Sequence, residues 1–362
     1  MKNLDKILEK LLHNVPVTSQ DISYLLQLTH PEARERLFRA ARLLRKRYFN
    51  DKIFLYGFVY FSTYCRNNCT FCYYRTSNSA CIRYRKTTQE IVDIASALAE
   101  SGVHLIDLTM GEDPQYLSND NEGYQKLIEV VKLVKQQTNL PIMISPGVVP
   151  KEILQELKRA GAGWYACYQE THNRRLYDTL RLNQSYDERW SIKVFAKTTG
   201  MLVEEGLLVG IGDSVKDAVH SLQEMKKLGA EQIRTMSFVP QKGTPLYNAA
   251  TINNRYELNV IAVMRLLFPD KLIPASLDVE GIEGLKERLD AGANVVTSII
   301  PPEAGLAGVS QSTLDISEGY RTVKGITPIL EACGLTPATL EEYVSWMDNR
   351  LGYGGKEGVL CE

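Results

Sequence analysis

No apolar run in the 362-residue chain approaches the ~18 residues that a membrane span needs, and no charged stretch followed by an apolar segment opens it. These two absences give the expectation of a cytoplasmic protein. Charge of one sign is also missing. With 42 basic residues against 43 acidic ones, the net of −1 exerts no overall pull toward nucleic acid or anionic lipid, and a small molecule is the expected partner. Seven cysteines, an odd number without a secretion signal, argue against a disulfide framework and for a reducing compartment. At 44% hydrophobic residues the chain can bury a large core, as two modest domains or as one large α/β barrel with extensions.

What is present begins with Cys65, Cys69 and Cys72, spaced C-x3-C-x2-C directly after an apolar run. Three thiolates can hold three irons of a 4Fe-4S cube and leave the fourth iron open to another ligand. A zinc site or a plain four-cysteine cluster would want one more ligand nearby, which Cys81 could supply; ordinary buried thiols have no use for this spacing. The signature, with aromatic Phe71 just before the third cysteine, resembles that of the radical S-adenosylmethionine (radical SAM) enzymes. That resemblance implies that the amino and carboxylate groups of S-adenosylmethionine chelate the open iron, and that one electron cleaves the sulfonium to a 5′-deoxyadenosyl radical. Cys167, Cys333 and Cys361 are isolated and read as core or surface thiols.

The first fifty residues are helical in pattern, with Leu4, Ile7, Leu8, Leu11 and Leu12 at helical spacing and Thr18, Ser19 and Asp21 as candidate caps. A basic helix follows over 31–49; its arginines could form a nucleic-acid face, but acidic residues are interleaved and a solvated face is the expectation. Beyond it, β-rich runs alternate with helical stretches. Eight candidate strands are Ile53–Phe61, Val103–Thr109, Ile142–Ser145, Gly163–Tyr168, Leu207–Ile211, Gln232–Val239, Leu272–Leu277 and Asn294–Ile300. Gly102, Gly161, Gly229 and Gly292 each stand where a helix must stop before the next strand. Eight such units favour a closed (β/α)8 TIM-type barrel over an open sheet, with an incomplete six-stranded barrel as the alternative. The expected organisation is a helical cap over 1–50, the barrel over 51–302, and a helical extension with a flexible tail over 303–362.

In such a barrel the working residues sit at the C-terminal ends of strands, and Cys65 obeys this. The second strand carries Asp107, whose carboxylate is costly to bury without a cation. The third ends at Ser145, and the sixth contains Arg234, either a structural ion pair or a carboxylate clamp. Ser276 and Asp278 share one face at the end of the seventh. Two aspartates, an arginine and two serines around one cavity suit a small zwitterion with an additional ammonium, such as a diamino acid.

Several segments resemble the methylornithine synthase family of pyrrolysine biosynthesis: Tyr60-Phe61-Ser62-Thr63-Tyr64, 107–114, 141–147, Tyr168-Gln169-Glu170-Thr171 and 272–278. The similarity runs from about Pro31 to about Pro302, and the barrel is shared with biotin synthase and a hydrogenase maturase. The resemblance implies that Cys65, Cys69 and Cys72 ligate the cluster and that Phe71 lies beside the adenine. Tyr168 and Glu170 match positions at the nucleoside, Arg189 one that pairs with the cofactor carboxylate, and Gly111-Glu112 the turn that receives its amino group. Asp107, Ser145, Arg234, Ser276 and Asp278 match the amino-acid pocket, with no residue acting as acid or base. The implied reaction isomerises L-lysine to (3R)-3-methyl-D-ornithine through fragmentation and recombination of the side chain, primed by a one-electron reductant such as ferredoxin or flavodoxin. The alternative is another biotin synthase-like enzyme acting on a different amino acid or in cofactor maturation. The segment between Cys72 and Arg83 and the tail from about Glu303 depart from the family pattern.

Overall fold

The computed structural model describes residues 2–118, 122–251, 255–306, 308 and 320–352. Nearly all of the expected tail over 351–358, and Cys361, lie outside them. Eight parallel strands form the barrel wall: β1 (Lys52–Ser62), β2 (Leu105–Met110), β3 (Ile142–Ser145), β4 (Ala162–Ala166), β5 (Leu202–Val209), β6 (Gln232–Ser237), β7 (Pro274–Ser276) and β8 (Val295–Ile299). They run in the order β6-β5-β4-β3-β2-β1-β8-β7, and a bridge between Gln232 and Leu272 brings β6 back toward β7. The barrel is therefore eight-stranded and nearly closed. Among the described residues no helix is long and apolar enough to cross a membrane.

Helices α1 (Lys2–Leu12), α2 (Ser19–Leu26) and α3 (Pro31–Phe49) precede the barrel. A helix follows each strand: α4 (Thr88–Glu100), α5 (Glu122–Thr138), α6 (Lys151–Ala160), the pair α7 (Arg174–Leu180) and α8 (Tyr186–Thr198), α9 (Val215–Leu228), α10 (Arg255–Leu267), α11 (Leu285–Asp290) and α12 (Val323–Ala332). The eighth strand–helix unit thus runs past residue 302. Capping boxes at Thr87–Glu90 and Ser214–Asp217 start α4 and α9. The four glycine joints all take positive φ, at 91°, 118°, 66° and 108° for Gly102, Gly161, Gly229 and Gly292, a conformation that L side chains resist.

The fifth strand begins five residues before its expected start. Glu204 and Glu205 interrupt the apolar run, yet both are fully buried, because successive strand residues face opposite sides of the wall and each side holds a cation. Glu204 meets Arg234 inside the barrel, whereas Glu205 meets Lys193 of α8 outside it.

The three N-terminal helices lie along the outer wall against α9, α10 and α11, away from the cavity. Five of the six arginines of α3 are engaged with the fold, and Arg39 is exposed. Arg45 donates to the carbonyls of Leu289 and Ala293 at 2.5 and 3.1 Å, Arg42 to that of Asp290 at 2.9 Å, and Arg34 to Asn259 at 3.0 Å. Arg36 pairs with Asp5, and Arg47 donates to the Leu12 carbonyl.

At the N-terminal end of the barrel, β9 (Thr336–Pro337) pairs with Lys52 and Ile53, and α13 (Leu340–Leu351) packs beneath. Tyr343 meets the hydroxyl of Tyr56 at 2.7 Å, and Trp346 stacks on Trp164 with ring centres 6.1 Å apart. His104 fixes this junction: its Nδ1 accepts from the Leu55 amide, so Nε2 donates to the Ala338 carbonyl, each at 2.8 Å. The lower mouth is sealed by aromatic side chains.

Candidate active site

The loop from β1 to α4 carries the three cysteines and is held by arginine contacts. Arg83 donates to the carbonyls of Thr63, Tyr74 and Arg75, the latter two at 2.8 and 2.5 Å. Arg85 grips Asp113 at 2.7 and 2.9 Å and lies 3.7 Å from the Tyr64 ring centre. The segment between Cys72 and Arg83 is thus folded back on the loop.

Cys65, Cys69 and Cys72 all line one cavity at the C-terminal mouth of the barrel. Cys81 does not; it packs on Tyr73 and Tyr74, and its thiol faces the Ile82 carbonyl at 3.6 Å. Cys65 and Cys72 pack against the same small cluster, and among the described residues no three His, Cys, Asp or Glu converge to hold a single metal ion. Burial, reinforced by the neighbouring thiols, pushes Cys72 far up, and burial pushes Cys65 up to about 11. Burial opposes ionisation at Cys65 and Cys72, and a strong cationic centre, which the irons of a cluster would offer, reverses that bias. Above them the Gly111-Glu112 turn presses against the loop, so closely that a Cβ at Gly111 would stand 2.2 Å from the Tyr64 carbonyl. The donor set and this cradle fit a cluster bearing a further ligand.

Of the expected cofactor residues, Arg189, Glu170, Phe71 and the Gly111-Glu112 turn line the cavity with the thiols. Arg189 donates from Nη2 to Glu112 at 2.9 Å and to Gln184 at 3.0 Å, and from Nη1 to the Cys167 sulfur at 2.9 Å; its Nε is buried without a partner. Glu170 accepts from Arg181 at 2.8 Å and holds a positive φ of 66°. Phe71 packs against Leu180, Leu208, Ile211 and Phe238, with the Arg181 guanidinium 5.5 Å from its ring centre. Tyr168 turns toward the other end of the cavity. Its hydroxyl donates to Glu204 at 2.7 Å, and its ring lies 5.6 Å from the Arg234 guanidinium.

That other end is built from strand ends. Ser145, Arg234 and Asp278 line the cavity; Asp107 and Ser276 are buried. Asp107 accepts through Oδ1 from Thr109 at 2.7 Å and Ser145 at 3.0 Å, while its Oδ2 has no partner. Burial pushes its carboxyl up to about 7 against the lowering pull of the Thr109 hydroxyl. Arg234 uses Nε on Glu204 at 2.7 Å and Nη1 on Thr297 at 3.3 Å, leaving Nη2 unpartnered. Asp278 accepts from Tyr60 at 2.9 Å, Ser298 at 2.9 Å and Arg321 at 3.1 Å, and its amide donates to Ser276 at 3.3 Å.

Glu204, Arg321, Tyr60 and Ser298 were not among the expected site residues. For Glu204 a signal existed, since a charge flanked by Leu202-Val203 and Gly206-Leu207-Leu208 still reads as strand. For Arg321, which reaches in from beyond β8, nothing in its neighbourhood pointed to the barrel.

The chain matches the Radical SAM superfamily over residues 59–225. It is similar to the 3-methylornithine synthase of Methanosarcina acetivorans, 43% identical over 342 residues that span 94% of this chain and 96% of that one. It is also similar to the FeFe hydrogenase maturase subunit HydE of Thermotoga maritima, 31% identical over 80% of this chain and 82% of that one. A crystal structure of methylornithine synthase superposes with a TM-score of 0.89 at 43% identity, covering 94% of this chain and 99% of that chain.

Proposed function

The chain belongs to the methylornithine synthase family of radical SAM enzymes, and from that premise we propose that it isomerises L-lysine to (3R)-3-methyl-D-ornithine in the cytoplasm, as the first step of pyrrolysine biosynthesis. One observation carries the reading: a single cavity is lined by Cys65, Cys69 and Cys72 together with Ser145, Arg234 and Asp278. When bound, a 4Fe-4S cluster with S-adenosylmethionine supplies a 5′-deoxyadenosyl radical, given an electron from an outside donor of the ferredoxin or flavodoxin kind.

The rest is the work of the chain's own groups. Cys65, Cys69 and Cys72 hold three irons. Arg189 takes the cofactor carboxylate, the Gly111-Glu112 turn its amino group, and Tyr168, Glu170 and Phe71 its nucleoside. At the far end, Arg234 and Ser276 hold the lysine carboxylate, Asp278 its α-ammonium, and Asp107 with Ser145 the distal ammonium. Arg321 and Tyr60 fix Asp278, and Glu204 fixes Arg234. No residue needs to act as acid or base. With both ends of the substrate pinned and the lower mouth sealed, fragments are kept in register and water is kept out.

The test is anaerobic turnover of carbon-labelled L-lysine by reconstituted protein, with products separated by chromatography and identified by NMR. A labelled branched isomer is expected. Deoxyadenosine formed without lysine conversion would discard the substrate while keeping the radical chemistry.

A further inference from the structure

We infer that Gln184 couples the cluster ligand Cys69 to Arg189 through one side-chain amide, setting the reduction potential of the cluster while bracing the arginine that receives the cofactor. The inference rests on the cluster placement proposed above. Gln184 sits in the short corner between α7 and α8. Its Nε2 donates to the Cys69 sulfur at 3.1 Å, and its Oε1 accepts from Arg189 Nη2 at 3.0 Å and from Arg181 Nη1 at 3.5 Å. The amide has one possible orientation, because guanidinium groups only donate and must therefore face its oxygen, which turns the NH2 toward sulfur.

The corner is tied to the cysteine loop independently. The Thr70 amide donates to the Leu180 carbonyl at 2.8 Å, and its hydroxyl to that of Thr179 at 3.2 Å, so Gln184 and Cys69 are held in fixed relation. Arg189 on the oxygen polarises the amide and strengthens the N–H···S contact beyond it, while Arg181 Nη1, at the limit of contact with that oxygen, lies 3.7 Å from the same sulfur as a longer second donor. A donor on a cluster thiolate favours the more negative, reduced state, and so raises the potential of the one-electron couple.

Gln184→Leu removes both contacts; Gln184→Glu keeps an oxygen for Arg189 and replaces the donor with a negative charge. Redox titration of the anaerobically reconstituted proteins, followed by the electron paramagnetic resonance of the reduced cluster, reads the result. The Leu variant is expected to lower the reduction equilibrium constant about tenfold, which is about 59 mV for a one-electron couple, and the Glu variant to lower it further, with iron content unchanged. S-adenosylmethionine binding to the Leu variant, read from its effect on the same signal, should weaken several-fold. Wild-type potentials in both variants at full iron content would overturn the inference. Loss of iron from both would make Gln184 a structural brace and overturn it equally; loss from the Leu variant alone leaves the Glu variant to decide. A wild-type protein that takes up no cluster would overturn the functional reading and this inference with it. A shifted potential in a protein that ignores lysine would remove only the substrate.

Discussion

Asp107 keeps one carboxylate oxygen without a partner in a fully buried site, and that burial pushes its carboxyl up to about 7. The folded protein holds that proton more tightly than the unfolded chain, so Asp107 costs no stability below the ordinary carboxylate range and progressively more as pH rises toward 7. Asp107→Asn is therefore expected to raise the melting temperature of the substrate-free protein at pH 8 and to leave it unchanged near pH 4, by calorimetry at both values. The sign reverses for substrate, because an ammonium needs the ionised form: apparent lysine affinity of the wild type should fall about tenfold per pH unit below 7. Arg234 makes a second case. Arg234→Leu should abolish lysine turnover and, by stranding Glu204, cost about 3–5 kcal/mol. Adding Glu204→Gln should restore most of that stability in denaturant titrations without restoring turnover, which separates the pair's structural role from its binding role. Asp107 and Asp278 drew attention in the sequence as charges closing apolar runs, and Arg234 as a charge inside a strand. Glu204 was obscured by its neighbour Glu205, since two adjacent charges look like the edge of a strand unless both faces of the wall hold a cation.

The loop between β1 and α4 holds a cluster-binding motif without regular structure of its own. Arg83 is one of its internal ties, its guanidinium gathering carbonyls from Thr63, Tyr74 and Arg75. Arg83→Ala leaves those carbonyls to find other partners, and the loop loses that tie. Iron content after reconstitution is expected to fall at least twofold while far-ultraviolet circular dichroism stays unchanged; full iron content would show that the thiols alone organise the loop. The motif spacing was plain in the sequence, but the device holding it was not, because carbonyl-gathering arginines leave no periodic trace.

On the scale of the whole molecule the barrel is a vessel with one open end. The alternation of strands and helices and the glycine joints were enough to read the wall; the floor was not foreseen, because β9 and α13 carry no strand–helix repeat and were expected only as an extension. Tyr343, fully buried against Phe54 and Tyr56, is the centre of that floor. Tyr343→Ala is expected to cost about 3–5 kcal/mol by the cavity it leaves, and to raise the share of deoxyadenosine formed without lysine isomerisation, as water and fragments gain a second exit. Turnover products and denaturant midpoints measured on the same preparation check both halves.

The floor also has a history in time. Lys52 and Thr336 stand side by side across 284 residues of chain, so a ribosome delivers β1 long before the segment that pairs with its first residues. Until then Phe54, Tyr56 and Trp164 face an unfinished opening. Contacts this distant in sequence form slowly, and the nascent barrel waits with an aromatic ring of side chains that only its own later segment, or a chaperone, can cover.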